Sequence, residues 1–372
     1  MKILPCSIGG HDGALRGSLL GSILGAVSIM FASSASSETL RVPSQFPTIQ
    51  RAIDAAVDGD VVRLQAGIYQ PFATIDTLGK GITIQGEVGP GSTPLVTIDG
   101  RDSITPLQCT SGEGPDTLFE NLIISNGRST QEGGGMLITN GSSPTLFNCV
   151  FSGNFAECHG GAVASITPSA KASCNPSFVD CLFEANETNC HGGAVYADGG
   201  NSLFISCDFK GNDAVFGGGL YGHAGISVVI DCTFECNEAI ADGGGLHLGS
   251  LALANISDCT FRFNSSFGSG GGIFFGSNSQ SLENSLLCGN TPDQTVGVYF
   301  DSGGNTLLAE CTPCPDVNGD GVVDGVDLAL MLSNWGPCTT FPCAGDVNGD
   351  GVVDGADFAV ILSSWGPCPG CP

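Results

Sequence analysis

The middle of the chain repeats itself about every 26 residues, and this period constrains the fold more than any other feature. A Gly-Gly-apolar motif recurs with its apolar residue at Met136, Ala162, Ala194, Leu220, Leu246 and Ile273. Successive members lie 26, 32, 26, 26 and 27 positions apart, and Val298 follows 25 positions later. A fixed period of this size predicts a solenoid. Because each unit is short and rich in glycine and β-forming residues, it suits one turn of a parallel β-helix.

A second motif, Phe-x-x-Asn, alternates with the first. It occurs at Phe151/Asn154, Phe183/Asn186, Phe209/Asn212, Phe234/Asn237 and Phe261/Asn264, with Leu287/Asn290 as a degenerate sixth copy. Stacked coils of a β-helix lie about 4.8 Å apart, so phenylalanine is expected to stack on phenylalanine and asparagine on asparagine. Each asparagine is expected at a turn, in the left-handed conformation and hydrogen-bonded to its neighbour in the next coil.

The strand that precedes each asparagine alternates between two kinds of residue. One set is predicted to point inward: Phe147-Cys149-Phe151, Val179-Cys181-Phe183, Ile205-Cys207-Phe209, Ile230-Cys232-Phe234 and Ser257-Cys259-Phe261. The residues between them are predicted to point outward: Asn148, Asp180, Ser206, Asp231 and Asp258. Successive side chains of a strand point to opposite faces. The inward cysteine column is predicted to be small core filler rather than redox machinery.

The start of the chain's repetitive region predicts a helical cap on the solenoid. Residues 47–56 form an amphipathic pattern with Thr48 as its N-cap, followed by strand-like segments at 59–69 and 79–86. This opening resembles the pectin-lyase-like right-handed β-helix superfamily. The alternating GGA[V/L/I] and FxxN motifs resemble the repeat of the polymorphic outer-membrane proteins over about residues 120–300. The fold class predicted is mainly β, a right-handed parallel β-helix solenoid.

The last sixty residues contain two nearly identical acidic loops, D-V-N-G-D-G-V-V-D-G-V-D at 316–327 and D-V-N-G-D-G-V-V-D-G-A-D at 346–357. Oxygen-bearing side chains fall at positions 1, 3, 5, 9 and 12, and glycine falls at position 6. This spacing is typical of a loop that wraps a calcium ion in oxygen ligands. An apolar helix pattern follows each loop, but Cys314-Pro315 and Cys343-Ala344-Gly345 precede them and exclude an entering helix.

A duplicated half EF-hand with aspartate at position 12 resembles the type I dockerin, over about residues 314–368. The resemblance implies two Ca²⁺ ions. One would be held by Asp316, Asn318, Asp320, Asp324, Asp327 and the Val322 carbonyl. The other would be held by Asp346, Asn348, Asp350, Asp354, Asp357 and the Val352 carbonyl. It also implies a cohesin-like partner that contacts loop positions 10 and 11. Many dockerins have Ser-Thr there, whereas this chain has Gly325-Val326 and Gly355-Ala356.

The cysteines around the two loops predict two disulfides, Cys314–Cys338 and Cys343–Cys368. The separations are nearly equal, at 24 and 25 residues, and each pair brackets one loop and one helix. A bond in each half would tie loop entry to helix exit.

Charge and cysteine content indicate the compartment. The formal net charge is −26, which argues against nucleic acid and anionic membranes as partners. A basic start, an apolar run and small residues predict a signal peptide at 1–37, so the mature chain is expected to be secreted or cell-surface associated, with no transmembrane segment. Eighteen cysteines suit an oxidising destination. The predicted domains are the signal peptide, the β-helix at 38–310 and the dockerin-like domain at 311–372.

Two further patterns leave alternatives open. Cys158-His159-Gly-Gly-Ala-Val and Cys190-His191-Gly-Gly-Ala-Val lie on successive coils and predict a disulfide, a Cys2His2 zinc site or free thiols. The positions after Gly-Gly-apolar predict an outward column whose rings would either stack on sugars or lie under a loop or another chain. Its members are Val195, Tyr221, His247, Phe274 and Tyr299.

No catalytic residues are identified from the sequence. The family's enzymes use clustered Asp, Arg, Lys or His on the outside of adjacent coils, but the cations between residues 129 and 310 are Lys171, Lys210 and Arg262 alone. The first hypothesis is therefore a calcium-binding protein whose β-helix is a recognition or adhesion surface for polysaccharide, attached to a partner by the dockerin-like module. The alternative is a polysaccharide lyase or O-glycosyl hydrolase, which a catalytic role for Arg101 or Arg128 would favour.

Overall fold

The computed structural model describes residues 37–168, 173–311, 315–318, 320, 322–338, 343, 345–347 and 351–367. They form two compact units, one from residue 37 to residue 311 and one from residue 315 onward. The predicted signal peptide lies outside the described residues, apart from its last position. None of the described helices is long and apolar enough to cross a membrane.

The first unit is a coil of parallel strands in three sheets. Sheet 1 contains 17 strands, and sheets 2 and 3 contain ten and six. The strands of sheet 1 are Thr39–Val42, Val61–Leu64, Ile75–Asp76, Thr83–Gly86, Leu107–Cys109, Leu118–Glu120, Met136–Thr139, Thr145–Phe147, Val163–Ile166, Ser177–Val179, Val195–Ile205, Leu220–Ile230, Leu246–Ser257, Ile273–Phe275, Ser281–Glu283, Thr295–Val296 and Phe300–Gly303. From Ile75–Asp76 onward each coil contributes two arms to this sheet, and in three successive coils the arms merge into strands of 11, 11 and 12 residues.

Sheets 2 and 3 close each coil. The strands of sheet 2 are Gly67–Tyr69, Val96–Asp99, Leu122–Ser125, Val150–Ser152, Leu182–Glu184, Asp208–Lys210, Thr233–Glu235, Thr260–Arg262, Leu286–Cys288 and Thr306–Leu308. Those of sheet 3 are Arg128–Ser129, Phe155–Ala156, Glu187–Thr188, Asp213–Ala214, Glu238–Ala239 and Ser265–Ser266. Each strand pairs with the equivalent strand one coil away, so the predicted parallel β-helix is confirmed.

The predicted cap helix is confirmed as α1, Ile49–Ala55. The Thr48 hydroxyl accepts a hydrogen bond from the Arg51 N–H at 3.3 Å, which satisfies a donor of the first turn. Ile49, Ala52 and Ile53 are buried against the first coil, so the apolar end of the solenoid is covered. The remaining short helix of this unit is a single 3₁₀ turn at Pro90–Ser92.

The phenylalanine column is confirmed. Its rings stack from coil to coil with centroid separations of 5.3, 4.9, 4.4 and 4.5 Å. The members are Phe151, Phe183, Phe209, Phe234 and Phe261, all fully buried. The cysteines two positions earlier are buried free thiols, as expected for core filler.

The inward assignment of the first residue in each predicted strand is wrong. The buried residues there are one position earlier: Leu146, Phe178, Phe204, Val229 and Ile256. The cause is the backbone of the outward residues Asn148, Asp180, Ser206, Asp231 and Asp258, whose φ angles of 49–56° are left-handed. A left-handed residue turns the chain from sheet 1 to sheet 2 and resets the alternation of faces.

The asparagine ladder is confirmed, but its predicted left-handed conformation is wrong. Asn212 is typical: its Oδ1 accepts from the Nδ2 of Asn186 at 3.0 Å, and its Nδ2 donates to Asn237 Oδ1 at 2.8 Å and to the Phe183 carbonyl at 3.0 Å. The left-handed residues are those immediately before the asparagines: Gly153, Ala185, Gly211, Cys236, Phe263 and Gly289. The turn is therefore made one residue earlier, and the asparagine amide is free to bridge coils.

The register of the Gly-Gly motif also differs from the prediction. Met136 pairs with Val163, and Val163 with Val195, so Ala162 and Ala194 precede the apolar column instead of belonging to it. The structural unit is Gly-Gly-Gly/Ala-apolar, in which alanine takes the place of a third glycine. The last member is Thr295, which pairs with Ile273, and Val298 is exposed.

The second unit contains two helices in duplicated surroundings. Helix α2 is Gly325–Ser333 and helix α3 is Gly355–Ser363. Two-residue strands pair antiparallel, Val322–Val323 with Gly366–Pro367 and Gly336–Pro337 with Val352–Val353. The small core consists of Val323, Met331, Val353 and Ile361. Each half thus closes on the other half, as the sequence duplication implies.

The predicted disulfides Cys314–Cys338 and Cys343–Cys368 are wrong, because Cys338 is bonded to Cys343. The exit of α2 lies against the second loop, where the Cys338 N–H donates to the Gly351 carbonyl at 2.9 Å, and this brings Cys338 to Cys343. Cys314 and Cys368 lie outside the described residues. A further disulfide joins Cys288 and Cys311 at a Cα separation of 4.7 Å.

Phe209→Ala is expected to lower the free energy of unfolding by about 3–5 kcal/mol, because it leaves a cavity in the middle of the ring stack. The matched control is Asp231→Asn, since asparagine tolerates the left-handed backbone of this exposed position, and its cost should be well under 1 kcal/mol. Urea denaturation of both variants measures the difference. A larger effect at Asp231 would contradict the assignment of inner and outer faces.

Candidate functional site

All four histidines among the described residues lie close together: His223 and His247 are on strands of sheet 1, and His159 and His191 form bridges beside it. They belong to a continuous surface of eight stacked or contacting rings, which we call the ring patch. Its members are His159, His191, Tyr196, Phe216, Tyr221, His223, His247 and Phe274. The rings come from successive coils and are about 25–32 residues apart in sequence, so the patch exists only in the folded solenoid.

Most of these rings belong to two columns, in each of which equivalent residues of successive coils lie next to one another. His159, His191 and Phe216 occupy the residue before each glycine turn, and each pairs in parallel with the next. The second column follows the buried apolar residue of each Gly-Gly strand. It consists of Tyr196, Tyr221, His247 and Phe274, which are paired in register. The first column was not predicted. Its signal in the sequence is a ring-bearing residue immediately before the glycine run of successive coils.

The predicted outward column is correct at three positions and wrong at two. Val195 points inward and is fully buried, because the alanine before it shifts the register by one, and Tyr196 takes its place. Tyr299 is also outside the column. It stacks on Phe275 at 4.6 Å, while Phe274 pairs with Val296.

The rings stack on one another, so their faces are occupied. Tyr221 and His247 lie 4.7 Å apart at an angle of 10°, and His247 and Phe274 lie 4.6 Å apart at 11°. Tyr196 and His247 are each only 7% exposed. A ligand therefore meets ring edges rather than faces, and stacking of sugars on this column is not favoured. The edges carry phenol hydroxyls and imidazole nitrogens, which bind by hydrogen bonds.

Two imidazoles of the patch, those of His191 and His247, are uncharged at neutral pH. Burial lowers the pKa of His191 to about 4, and His159 and His223 lower it further. Burial also lowers the pKa of His247 to about 4, although the Asp242 carbonyl opposes this. Burial and then Asp198 raise the pKa of the Tyr196 and Tyr221 phenols. Neither phenol hydroxyl has a hydrogen-bond partner within the described residues, so both are available to a ligand.

Acidic side chains border the patch. His223 Nδ1 lies 2.8 Å from Asp198 Oδ1, and His159 Nδ1 lies 3.6 Å from Glu132 Oε1. Beside Glu132 is a cavity of about 270 Å³, whose lining includes Gln108 and Gln131. The His223 ring is substantially exposed. A histidine oriented by a carboxylate can act as a general base.

Arg101 and Arg128 are engaged away from the ring patch. Arg101 lies over the Phe72 ring at 5.1 Å and donates to the Pro71 carbonyl at 3.2 Å. Arg128 lies over the Phe155 ring at 4.6 Å and forms an ion pair with Glu157 at 3.6 Å. These contacts do not favour a catalytic role for either arginine.

The zinc alternative for the Cys-His segments is not supported. Cys158 and Cys190 are free thiols, and His159 and His191 stack on each other at 5.1 Å. In the part of the chain that the structure describes, only Cys338, Cys343 and Asp346 bring three candidate metal ligands within 4.8 Å, and those two cysteines form a disulfide. Of the two remaining alternatives, a disulfide or free thiols, this structure has free thiols at Cys158 and Cys190.

The first acidic loop is ordered by its own side chains. Asn318 Oδ1 accepts the Asp320 N–H at 2.8 Å, and Asp320 Oδ1 accepts the Val322 N–H at 3.0 Å. Asp324 caps α2 through the Val326 N–H at 2.7 Å. Asp327 is fully buried. Its Oδ1 accepts the N–H groups of Val317 and Asn318, and its Oδ2 accepts that of Asp324, so it joins the two ends of the loop.

The second loop repeats the described part of this arrangement. Asp354 caps α3 through the Ala356 N–H at 2.7 Å, and Asp357 accepts from the Val347 and Asp354 N–H groups. Asn348 and Asp350 lie outside the described residues. The donor atoms are all hard oxygens, and the sequence from 311 to 372 has no lysine or arginine to neutralise them. This donor set fits Ca²⁺.

Comparison with known proteins identifies both units. The Dockerin type I domain matches residues 315–364, and the Right handed beta helix region matches residues 105–234. Dockerin type I domains generally bind calcium and attach their protein to a partner. A search among curated proteins finds no match.

Several solved structures resemble the chain at low identity. A Geobacillus virus E2 ORF18 structure is 16% identical with a TM-score of 0.36, over 82% of this chain and 64% of that one. The pectin methylesterase of Aspergillus niger is 13% identical with a TM-score of 0.32, over 76% and 92%. A mannuronic acid specific polysaccharide family 6 lyase from human gut microbiota is 11% identical with a TM-score of 0.26, over 73% and 87%.

At these TM-scores the resemblances carry no conclusion about this chain, and the activities of those proteins are not transferred to it. The chain spans 64% of the length of the viral structure. From its strand topology and the two matched families, the chain is a right-handed parallel β-helix protein with a C-terminal type I dockerin domain.

Proposed function

We propose that this is a secreted binding protein, attached to its partner by a calcium-stabilised dockerin, whose β-helix binds an uncharged polysaccharide. The single observation that carries the proposal is the ring patch with its two phenol hydroxyls, neither of which has a partner among the described residues. Sugar hydroxyls both donate and accept hydrogen bonds, and so do phenol hydroxyls and neutral imidazoles. The patch spans successive coils, which suits a chain-like ligand.

Charge supports an uncharged ligand over an acidic one. Residues 37–311 contain 28 acidic and nine basic side chains, and Glu132 and Asp198 lie beside the patch. An acidic polysaccharide would approach a surface of its own sign, with no lysine or arginine among the eight ring positions to neutralise it. We therefore expect a ligand recognised by hydroxyl groups.

The dockerin surface supports attachment to a protein partner. Val326, at loop position 11, is 52% exposed, and Ala356 occupies the equivalent exposed position in the second half. Large apolar side chains are also exposed in matching pairs on α2 and α3 and just after them: Leu332 and Leu362, and Trp335 and Trp365. Exposed tryptophans are typical of binding surfaces. A cohesin-like partner would contact this duplicated surface.

Two calcium ions are proposed for the dockerin. The first site consists of Asp316, Asn318, Asp320, the Val322 carbonyl, Asp324 and Asp327, and the second of Asp346, Asn348, Asp350, the Val352 carbonyl, Asp354 and Asp357. Calcium would supply the positive charge that each loop lacks. Binding would therefore contribute directly to the folding of this unit.

A second candidate function is polysaccharide cleavage, as a lyase or O-glycosyl hydrolase. The observation that favours it is the exposed His223–Asp198 pair beside the Tyr221 and Tyr196 rings. His223 could take a proton from a bound sugar while Asp198 orients its ring. Product analysis separates this function from binding alone: new reducing ends or unsaturated products, lost in His223→Ala, would establish cleavage.

Calcium is expected to raise the melting temperature of the isolated 311–372 fragment, because it neutralises four aspartates in each loop. Calorimetry with and without chelator measures this. Asp316→Ala and Asp346→Ala should each remove about one bound ion, whereas the full chain with Asp293→Ala, an exposed acid of the β-helix, should keep both. Equal melting with and without calcium would refute the proposal.

Tyr221→Phe is expected to weaken binding of a neutral hexasaccharide by about 5- to 10-fold, because it removes one hydroxyl and keeps the ring stack. Tyr69→Phe is the matched control, since the Tyr69 hydroxyl donates within the first coils, to the Val42 and Gln65 carbonyls. Titration calorimetry would compare glucose-, galacturonate- and glucosamine-based hexamers. If only a charged hexamer lost affinity in Tyr221→Phe, the proposal of an uncharged ligand would be wrong. If no hexamer lost affinity in this variant, the patch would not be the binding site.

Binding of the neutral hexamer is expected to be constant between about pH 8 and pH 5.5 and to fall as the pH approaches 4. His191 and His247 have a lowered pKa of about 4, so they stay neutral in the upper range and become charged only near that value. The unfolded chain binds protons at these histidines near pH 6.5, whereas the folded protein binds them only near pH 4. The free energy of unfolding should therefore also decline as the pH falls from about 6.5 to about 4. His247→Phe, which keeps a ring in the column, should flatten both profiles. Loss of binding near pH 6.5 would contradict the assignment of buried, neutral imidazoles.

A further inference from the structure

Two of the free cysteines differ from the others in access. The structure describes nine free cysteines, and seven of them are buried. Cys158 and Cys190 alone among these nine are partly exposed. Reagents and redox partners in solution reach only exposed thiols. The two accessible thiols are therefore the ones whose chemistry can matter in an oxidising compartment.

The two residues are neighbours on adjacent coils. His159 and His191, which follow them, pair in parallel, and the His191 N–H donates to the Cys158 carbonyl at 3.4 Å. The Thr188 hydroxyl also donates to that carbonyl, and the Cys190 thiol lies 3.7 Å from the Glu157 carbonyl. Adjacent coils are about 4.8 Å apart, which lies within the Cα separations that disulfides span. The same solenoid already holds a disulfide at a Cα separation of 4.7 Å, Cys288–Cys311.

The inner cysteine column has the same coil spacing but no access. Its members are at most 2% exposed: Cys149, Cys181, Cys207, Cys232 and Cys259. Cys207, in the middle, directs its thiol to the Phe178 and Ile205 carbonyls inside the core. An enclosed thiol does not meet an external disulfide. Spacing alone therefore does not select a redox pair; spacing combined with exposure does.

We propose that Cys158 and Cys190 are a redox-active pair that closes to a disulfide between adjacent coils. In the reaction, the thiolate of one cysteine attacks a small oxidised disulfide such as glutathione disulfide, forming a mixed disulfide and releasing one thiol. The second thiolate then displaces the other glutathione. Two protons leave the cysteines and two electrons reduce the oxidant to two thiols, so the exchange balances.

A disulfide between Cys158 and Cys190 would join two adjacent coils at the N-terminal end of the ring patch. Cys158 and Cys190 immediately precede His159 and His191, whose rings stack at 5.1 Å. A covalent link at this point would hold the two coils together where the patch begins, beside Glu132. The proposal does not depend on what the patch binds, because it rests on the register and exposure of the two thiols.

Differential labelling of the folded, full-length protein tests the proposal. The protein is treated with glutathione disulfide, trapped with N-ethylmaleimide, digested without reduction and mapped by mass spectrometry. The expected result is a cross-linked peptide pair containing Cys158 and Cys190. Both should be labelled by N-ethylmaleimide when the oxidant is omitted and the protein has been mildly reduced. The inner column should acquire label only after denaturation.

Two variants make the outcome specific. In Cys190→Ser, Cys158 should stop at the mixed disulfide and carry one glutathione, whereas Cys207→Ser should leave the Cys158–Cys190 link unchanged. The proposal is overturned if Cys158 and Cys190 in the wild-type protein each carry a separate glutathione, remain fully labelled after oxidation, or pair with other cysteines. The wild-type measurement alone decides between these results, so the test does not depend on how well a variant folds.

Discussion

Every layer of the β-helix depends on hydrogen bonding between equivalent residues of adjacent coils. The asparagine ladder shows this most directly, because each buried amide accepts from the asparagine one coil away and donates both to the next asparagine and to a backbone carbonyl. A buried amide left without these partners would cost about 1–3 kcal/mol for each unsatisfied group. The ladder therefore holds the coils in a single register, since a slip of one residue would leave several amides unpaired at once.

The same register decides what the surface can be. Residues that recur once per coil are brought to about 4.8 Å from their equivalents, and planar side chains at that spacing stack. Inside the coil this gives the phenylalanine column, and outside it gives the ring patch. In the ring patch, the face of each stacked ring is therefore covered by a neighbouring ring. A surface built this way offers ligands a row of ring edges, and its specificity then depends on which edges carry hydroxyls or ring nitrogens.

The sequence could predict those features that follow from the period. The phenylalanine stack, the asparagine ladder and the cap helix needed only the recurrence of residue types and the alternation of faces. The left-handed residues before Cys149 and its equivalents were not predicted, because the column of aspartate, asparagine and serine was assigned to a continuous strand, although aspartate and asparagine favour a positive φ. The misplacement of Val195 has a similar cause: alanine replaces the third glycine of the turn, so the Gly-Gly motif shifts by one residue. The wrong disulfides came from equal spacing within each half, whereas the strand pairing Gly336–Pro337 with Val352–Val353 joins different halves.

The distribution of charge connects the two units functionally. We propose that calcium neutralises the acidic loops of the dockerin, whose donor atoms are all oxygens. The acids of the β-helix have no such arrangement of ligands within the described residues, and they border a patch in which the His191 and His247 imidazoles are neutral at physiological pH. The patch therefore lies in a negative field. Such a field repels polyanions. Uncharged, hydroxyl-rich molecules meet no electrostatic repulsion when they approach the patch.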